Sequence, residues 1–208
     1  MDLFDYINES KKNIDSPLAS RMRPTKLEDI AGQEHILSPG KLLYRAIKAD
    51  KLQSLIFYGP PGTGKTTIAK VIANTTKASF TVLNATTSGK QDITDAVKEA
   101  KIHQAMTGNK TIIFVDEIHR FNKAQQDALL PYTEDGTIIL IGATTENPYF
   151  EVNRALISRS LIFELRPLDE KAIRKIIKDA VESKERGLGA YQCKVCLLYT
   201  SDAADDKA

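Results

Sequence analysis

The 208 residues carry 29 Lys plus Arg against 27 Asp plus Glu, a net charge of +2, with 42% hydrophobic residues and no Trp. That near-balance gives no general affinity for polyanions, so any nucleic-acid contact must come from a local patch, and the length suits one domain with a sizeable core. No apolar run approaches the ~18 residues of a membrane span, Met1–Asp5 lacks the basic start of a signal peptide, and two Cys build no disulfide scaffold; we expect a soluble cytoplasmic protein with no membrane partner.

Residues 1–20 are polar and irregular and read as a mobile N-terminal segment. Leu42, Leu43, Ala46 and Ile47 recur at helical spacing, and Leu55–Tyr58 reads as a strand running into the breaker cluster Gly59-Pro60-Pro61-Gly62. Ile68, Ala69, Val71 and Ile72 then mark a helix, Phe80–Leu83 a strand, and Ile93, Val97 and Ala100 the inward face of another helix. Ile112–Val115 is the next strand, followed by a helix over Gln125–Leu130 and the strand Ile138–Ile141. A short helix over Arg154–Ser158, a strand over Leu161–Leu165 and Pro167 close this run. Ala172, Ile173, Ile176, Ile177, Ala180 and Val181 mark an amphipathic helix that stops at Gly187. Apolar strands alternating with helices predict an α/β fold, a sandwich of five parallel strands with helices on both faces, followed by the start of a second, helical piece.

The tail changes character. Residues 196–208 follow no packing periodicity and resemble the in-frame translation of a transposon-type sequencing adapter, so they are set aside as a scar, and residues beyond Gly187 are expected to stay mobile. Cys193 and Cys196 have C-x-x-C spacing, but no second pair follows and His35, His103 and His119 are scattered. The spacing is therefore read as accidental, with no metal site there.

The chemistry lies elsewhere. Gly59-Pro60-Pro61-Gly62-Thr63-Gly64-Lys65-Thr66 fits G-x-x-x-x-G-K-[ST] between a strand and a helix, the context a phosphate-binding loop requires. Gly62 and Gly64 let successive N–H groups turn inward around a phosphate, and the helix N-terminus adds partial positive charge. Lys65 is expected at the β- and γ-phosphates of ATP and the Thr66 hydroxyl at Mg²⁺, with the nucleotide held over residues 59–67, Thr67 included. Asp116-Glu117 closes the strand Ile112–Val115, where a doubly wound sheet places ligand chemistry. Asp116 is assigned to Mg²⁺ and Glu117 to the general base that polarises water. The second acid favours hydrolysis over transfer to a small-molecule substrate, which would bring its own nucleophile. Thr144 and Thr145 follow the next strand and Arg159 precedes the last; alone, the threonines are more often turn residues than a γ-phosphate sensor, and the arginine is usually a surface charge.

Taken together, Arg21-Met22-Arg23-Pro24, Gly32-Gln33-Glu34-His35, Gly59–Thr66, Asp116–Lys123, Gly142–Pro148 and Ser158-Arg159 resemble the AAA+ ATPases of the clamp-loader group. Within that group the similarity is to the replication-associated recombination protein A family, the bacterial counterpart of the Werner-helicase-interacting protein, over residues 17–192. The stretches His119–Lys123 and Ala143–Pro148 carry it more specifically than the phosphate loop. The resemblance implies an ATPase core over 21–167 and the start of a helical lid over 168–195. It implies that Arg21–His35, with Arg23 and Pro24, wraps the adenine, and that Thr145, or else Thr144, is a first sensor on a strand between those leading to Lys65 and to Asp116. It implies that Arg159 reaches the γ-phosphate of a neighbouring subunit. Asn84 fits a switch residue restraining Glu117, although an asparagine there also fits a simple turn cap.

By that resemblance the protein is a DNA-dependent ATP hydrolase acting in replication fork maintenance, recombination and repair. Its implied partners are DNA (forks, gaps or single-strand/double-strand junctions), further copies of itself and a single-stranded-DNA-binding protein, in a nucleoid-associated cytoplasmic setting. The alternatives are a non-hydrolysing, ATP-dependent interaction scaffold and a Holliday-junction branch-migration motor. The family's second sensor arginine and C-terminal region have no counterpart here, which suggests a truncated reading frame with little activity of its own. Lys90, Lys98, Lys101 and Lys110 could contact phosphate, but solvated helix faces look the same.

Overall fold

The computed structural model describes residues 16–191 and 193. By their internal contacts these fall into two units, Pro24–Pro167 and the described parts of Met1–Arg23 with Leu168–Ala208. The larger unit is a single sheet of five parallel strands: β1 (Ser54–Tyr58), β2 (Ser79–Asn84), β3 (Thr111–Asp116), β4 (Ile138–Thr144) and β5 (Ser160–Glu164), in the order β2-β3-β4-β1-β5. This is the five-stranded α/β sandwich read from the strand pattern.

The two-residue period of the strands builds a core on each face. Leu55 and Phe57, Ile112 and Phe114, and Ile139 and Ile141 point to one side, where they pack with Leu43, Ile47, Ile68 and Ile72. Ile56, Ile113 and Val115, and Ile138 and Leu140 point to the other and meet Ile93, Val97, Ile118 and Leu156. The helix Lys65–Thr76 therefore covers the first face and Lys90–Thr107 the second. The three central strands are buried almost throughout, whereas β2 and β5 at the edges are half-exposed. The continuous apolar runs arise because covering helices leave a central strand no polar face.

Several boundaries differ from the sequence reading. Of the segment 1–20, residues 1–15 lie outside the described residues, but Leu18–Arg21 forms a helical turn whose Ser20 and Arg21 amides bond to the Pro17 carbonyl. The helix expected over Gln125–Leu130 is two short ones, Lys123–Asp127 and Leu130–Glu134. Pro131 has no N–H to continue the first and sits in the first turn of the second. The last connection holds Pro148–Glu151 as well as Arg154–Ile157, each opened by an asparagine side chain that accepts a backbone N–H.

In the smaller unit the amphipathic helix runs from Glu170 to Glu182, with the Asp169 side chain capping it through the Ala172 amide. It stops before Gly187 because Ser183 turns extended. Gly187 instead closes the following loop, where a Cβ would lie 2.1 Å from the Ala180 carbonyl oxygen. Leu188–Tyr191, expected to be mobile, form a turn with the Tyr191 amide on the Leu188 carbonyl; the adapter-like residues 196–208 and Cys196 lie outside the described residues. Among the described residues no helix is long and apolar enough to cross a membrane.

Candidate active site

The carboxyl ends of β1, β3 and β4 lie side by side, and each is followed by one of the chemistry-bearing segments. Because β4 inserts between β1 and β3, Thr144 pairs with Tyr58 at the foot of the phosphate loop, and Gly142 pairs with Val115 just before Asp116. β4, which ends at Thr144 with Thr145 the next residue, thus lies between β1 and β3, as the resemblance implied.

The phosphate loop leaves β1 at Gly59, whose amide bonds to the Thr144 carbonyl at 3.2 Å. Gly62 and Gly64 adopt φ of +77° and +94° with open space where a Cβ would be, so the strain-free left-handed turn is the reason for glycine there. Thr63 Oγ1 donates to the Pro60 carbonyl at 2.9 Å. Lys65 begins the helix and is 8% exposed, its Nζ donating to the carbonyls of Gly59 (2.6 Å) and Pro60 (2.9 Å). Burial lowers the Lys65 pKa, opposed by the negative charges of Glu117 and Asp116 nearby. Thr66 and Thr67 are half-buried on the same first turn.

Asp116 ends β3 and is half-buried. Burial raises its pKa, the neighbouring Glu117 charge raises it further, and Lys65 acts in the opposite direction. A carboxylate held at such cost fits a bound cation, and among the described residues there is no three-ligand His/Cys/Asp/Glu cluster that would make a closed metal cage. That donor set suits Mg²⁺, which keeps waters and phosphate oxygens as most of its ligands. Glu117 sits at φ +52°, ψ +48°, one of three non-glycine residues described with positive φ. This conformation costs about 1–2 kcal/mol and re-aims the carboxylate out of the strand direction.

The two threonines part company. Thr144 is fully buried with its Oγ1 2.9 Å from His119 Nδ1, whereas Thr145 is exposed and its hydroxyl donates to Glu117 Oε2 at 3.4 Å. Asn84 pairs with Asp116 in the sheet, but its Oδ1 accepts from the amide (3.0 Å) and hydroxyl (2.6 Å) of Thr86. Its side-chain oxygen caps a turn in this structure.

Arg159 lies at the opposite edge. It precedes the first residue of β5, and a five-residue strand spans roughly 17 Å, so it faces away from its own phosphate loop. Its Nε is 2.7 Å from Glu134 Oε1, and it lines an open cleft of about 380 Å³ with Gln53, Ser54, Lys110 and Thr133. Of the residues that the resemblance assigns to the adenine, Arg23 falls in the smaller unit and Pro24 opens the larger one. Gln33 is the member of that segment with a visible role, and it escaped singling out because glutamine has no site signature. It is 1% exposed, donates to the carbonyls of Thr63 (3.3 Å) and Arg166 (2.8 Å), and accepts from the Arg166 amide (3.2 Å). His119 was equally unmarked except as part of a family stretch. Of the four lysines, Lys98 pairs with Asp95 and Lys101 lies over the Tyr132 ring.

Residues 55–168 match the profile of the ATPase family associated with various cellular activities. The chain is 52% identical over 173 residues to replication-associated recombination protein A of Haemophilus influenzae, a match covering 83% of this chain and 39% of that protein. It is 44% identical to the ATPase WRNIP1 of Dictyostelium discoideum, covering 86% of this chain and 20% of that protein. Among solved structures, the Thermotoga maritima RuvB Holliday junction branch migration motor superposes with a TM-score of 0.65 at 31% identity, over 78% of this chain and 54% of that one. The chain thus spans about two fifths of the length of the bacterial relatives it matches.

Proposed function

From the premise that the chain belongs to the AAA family of ATPases, we propose that it is the nucleotide-hydrolysing part of a DNA-dependent ATPase of the clamp-loader group, acting at stalled or gapped replication forks in recombination and repair. The observation that carries this is the convergence of Lys65, Asp116, Glu117 and Thr145 at the carboxyl edge of three adjacent strands, with Glu117 in a strained backbone that aims its carboxylate. Thr66 and Asp116 would hold Mg²⁺, which supplies charge neutralisation at the phosphate oxygens.

Lys65, now satisfied by two loop carbonyls, exchanges them for β- and γ-phosphate oxygens at little desolvation cost because it is already buried. The loop amides at Gly62–Lys65 and the helix N-terminus orient the phosphates. Glu117 accepts a proton from the attacking water as it adds to the γ-phosphorus and ADP leaves. Thr145 senses the γ-phosphate and Arg23–Pro24 flank the adenine. Arg159, turned away from its own loop, stabilises the γ-phosphate charge in a neighbouring copy, so a lone copy turns ATP over slowly. The core is assigned to 21–167 and the first part of a helical lid to 168–195. DNA forks, gaps or single-strand/double-strand junctions, further copies of the chain and a single-stranded-DNA-binding protein are the proposed partners, in the cytoplasm at the nucleoid.

A pair of variants tests this reading. Lys65→Ala loses ATP binding by calorimetry, whereas Glu117→Gln keeps ATP bound and lowers hydrolysis by roughly 10²–10⁴-fold, the usual contribution of a general base. Unchanged affinity in Lys65→Ala, or an unchanged rate in Glu117→Gln, overturns it.

A further inference from the structure

The Glu117 carboxylate is engaged on one side by an imidazole that the mechanism does not use. His119 is 8% exposed at its side chain, and its Nδ1 lies 3.3 Å from Glu117 Oε2 and 2.9 Å from Thr144 Oγ1. Thr144 Oγ1 also accepts the Glu146 amide at 3.0 Å, and Thr145 Oγ1 donates to the same Glu117 oxygen at 3.4 Å. His119 follows Glu117 in the 3-10 turn Ile118–Arg120, and the buried Ile118 fastens that turn to β4, with a Cβ placed at Gly142 falling 3.0 Å from its side chain. The imidazole is therefore held between the base and Thr144 at the end of β4.

The chemistry of these groups fixes who donates. An ionised carboxylate only accepts, so the Nδ1 that faces it carries the proton, with Thr144 Oγ1 as a second acceptor. When the carboxylate leaves, the Thr144 hydroxyl can donate to Nδ1 instead, and the ring proton moves to Nε2. The two tautomers therefore correspond to two positions of Glu117. Hydrogen bonds from His119 and Thr145 occupy lone pairs of the carboxylate that water would need, so the held carboxylate is kept from engaging the attacking water.

We propose that His119 is the positioning residue that restrains Glu117, with the Thr144 hydroxyl as the alternative partner that allows release. This rests on the reading of Glu117 as the base. It gives the restraining role to an imidazole within hydrogen-bond distance of Glu117, a contact for which no counterpart from Asn84 is described. Because Thr144 and Thr145 are consecutive, a shift at the end of β4 reaches His119 and Glu117 together.

The test is the ring protonation of His119, read from imidazole ¹⁵N shifts in the nucleotide-free chain and in its Glu117→Ala variant. Protonated Nδ1 in the parent and a majority of the Nε2-protonated ring in Glu117→Ala support the proposal. An unprotonated Nδ1 in the parent, or the same tautomer in both, overturns it. In steady-state turnover without DNA, His119→Ala raises kcat roughly three- to tenfold, the effect of releasing one partly exposed hydrogen bond to a charged group, and leaves KM for ATP unchanged. His119→Asn, whose amide can donate to Glu117, returns kcat toward the parent value; an unchanged or lower kcat in His119→Ala overturns the proposal. Hydrolysis that survives Glu117→Gln defeats the base assignment instead, while the tautomer measurement still decides whether His119 holds Glu117.

Discussion

Alanine at Gly59 probes the junction between the sheet and the phosphate loop. Gly59 has φ +144°, and a Cβ built there lies 2.2 Å from the carbonyl oxygen of Leu165 and 3.1 Å from its carbon. That carbonyl cannot swing aside freely, because the Leu165 amide is bonded to the Tyr58 carbonyl at 2.8 Å and Leu165 itself is fully buried. Backbone strain at a glycine-only φ contributes about 1–3 kcal/mol and overpacking against main chain about 1–3 more, so Gly59→Ala is expected to cost roughly 2–6 kcal/mol. Gly62→Ala is the control: its φ is +77° but nothing lies within 4 Å of the added carbon. It should show the strain alone, about 1–2 kcal/mol. For a chain of this size each kcal/mol moves the melting temperature by roughly 2–4 °C, so thermal unfolding followed by circular dichroism separates the two. The Gly59→Ala drop should be at least twice that of Gly62→Ala, with ATP binding lost as the loop is pushed off β5. Equal melting temperatures in the two variants would refute the close approach of the loop to Leu165.

Gln33→Ala leaves the Arg166 amide and the Thr63 and Arg166 carbonyls without their buried partner, and chemical denaturation should show a loss of about 2–3 kcal/mol together with weaker ATP binding; a neutral effect would show that Gln33 does not brace the loop. Asp116 has its pKa raised by burial and by Glu117, so its contribution to stability is greatest below its unfolded pKa of about 3.9 and is lost as pH rises through the folded value. Asp116→Asn should therefore melt higher than the parent at pH 7, by a margin that shrinks toward pH 4; a margin independent of pH contradicts the buried-charge argument. Arg159→Ala breaks a half-exposed pair with Glu134 and exposed hydrogen bonds to the Ala155 carbonyl and the Ser158 hydroxyl, so stability should change by less than about 1 kcal/mol and ATP affinity should hold while hydrolysis falls; a tenfold loss of ATP affinity would place Arg159 in its own site.

The chain order of strands and helices, the phosphate loop and the acidic pair were all legible in the residues themselves, because each is a local pattern. A buried parallel strand needs four or five consecutive apolar residues, a phosphate loop needs glycine where φ is positive, and both demands are written within eight positions. The two faces of the core were implicit in the same runs, since alternation along Ile112–Val115 must send neighbours to opposite sides. Boundaries were less legible where a single residue decides them, as Pro131 does in dividing a helix that the apolar spacing alone would have continued.

What the tertiary structure decided are the relations between segments far apart in sequence. Thr144 and Thr145 look alike in the chain, and only the burial of one against His119 and the exposure of the other beside Glu117 distinguish them. Gln33 acquires its role from a carbonyl 30 residues away and another 133 residues away, a separation no motif can encode. Arg159 is a surface charge by sequence; its distance from Lys65 follows from lying at the opposite end of a parallel strand. Asn84 could serve as switch or as turn cap, and only the fold shows its side-chain oxygen capping the turn at Thr86. Local conformational preference is set by a residue and its near neighbours, whereas hydrogen-bond partnership across a sheet depends on strand order, and that order is settled only when both faces are buried at once.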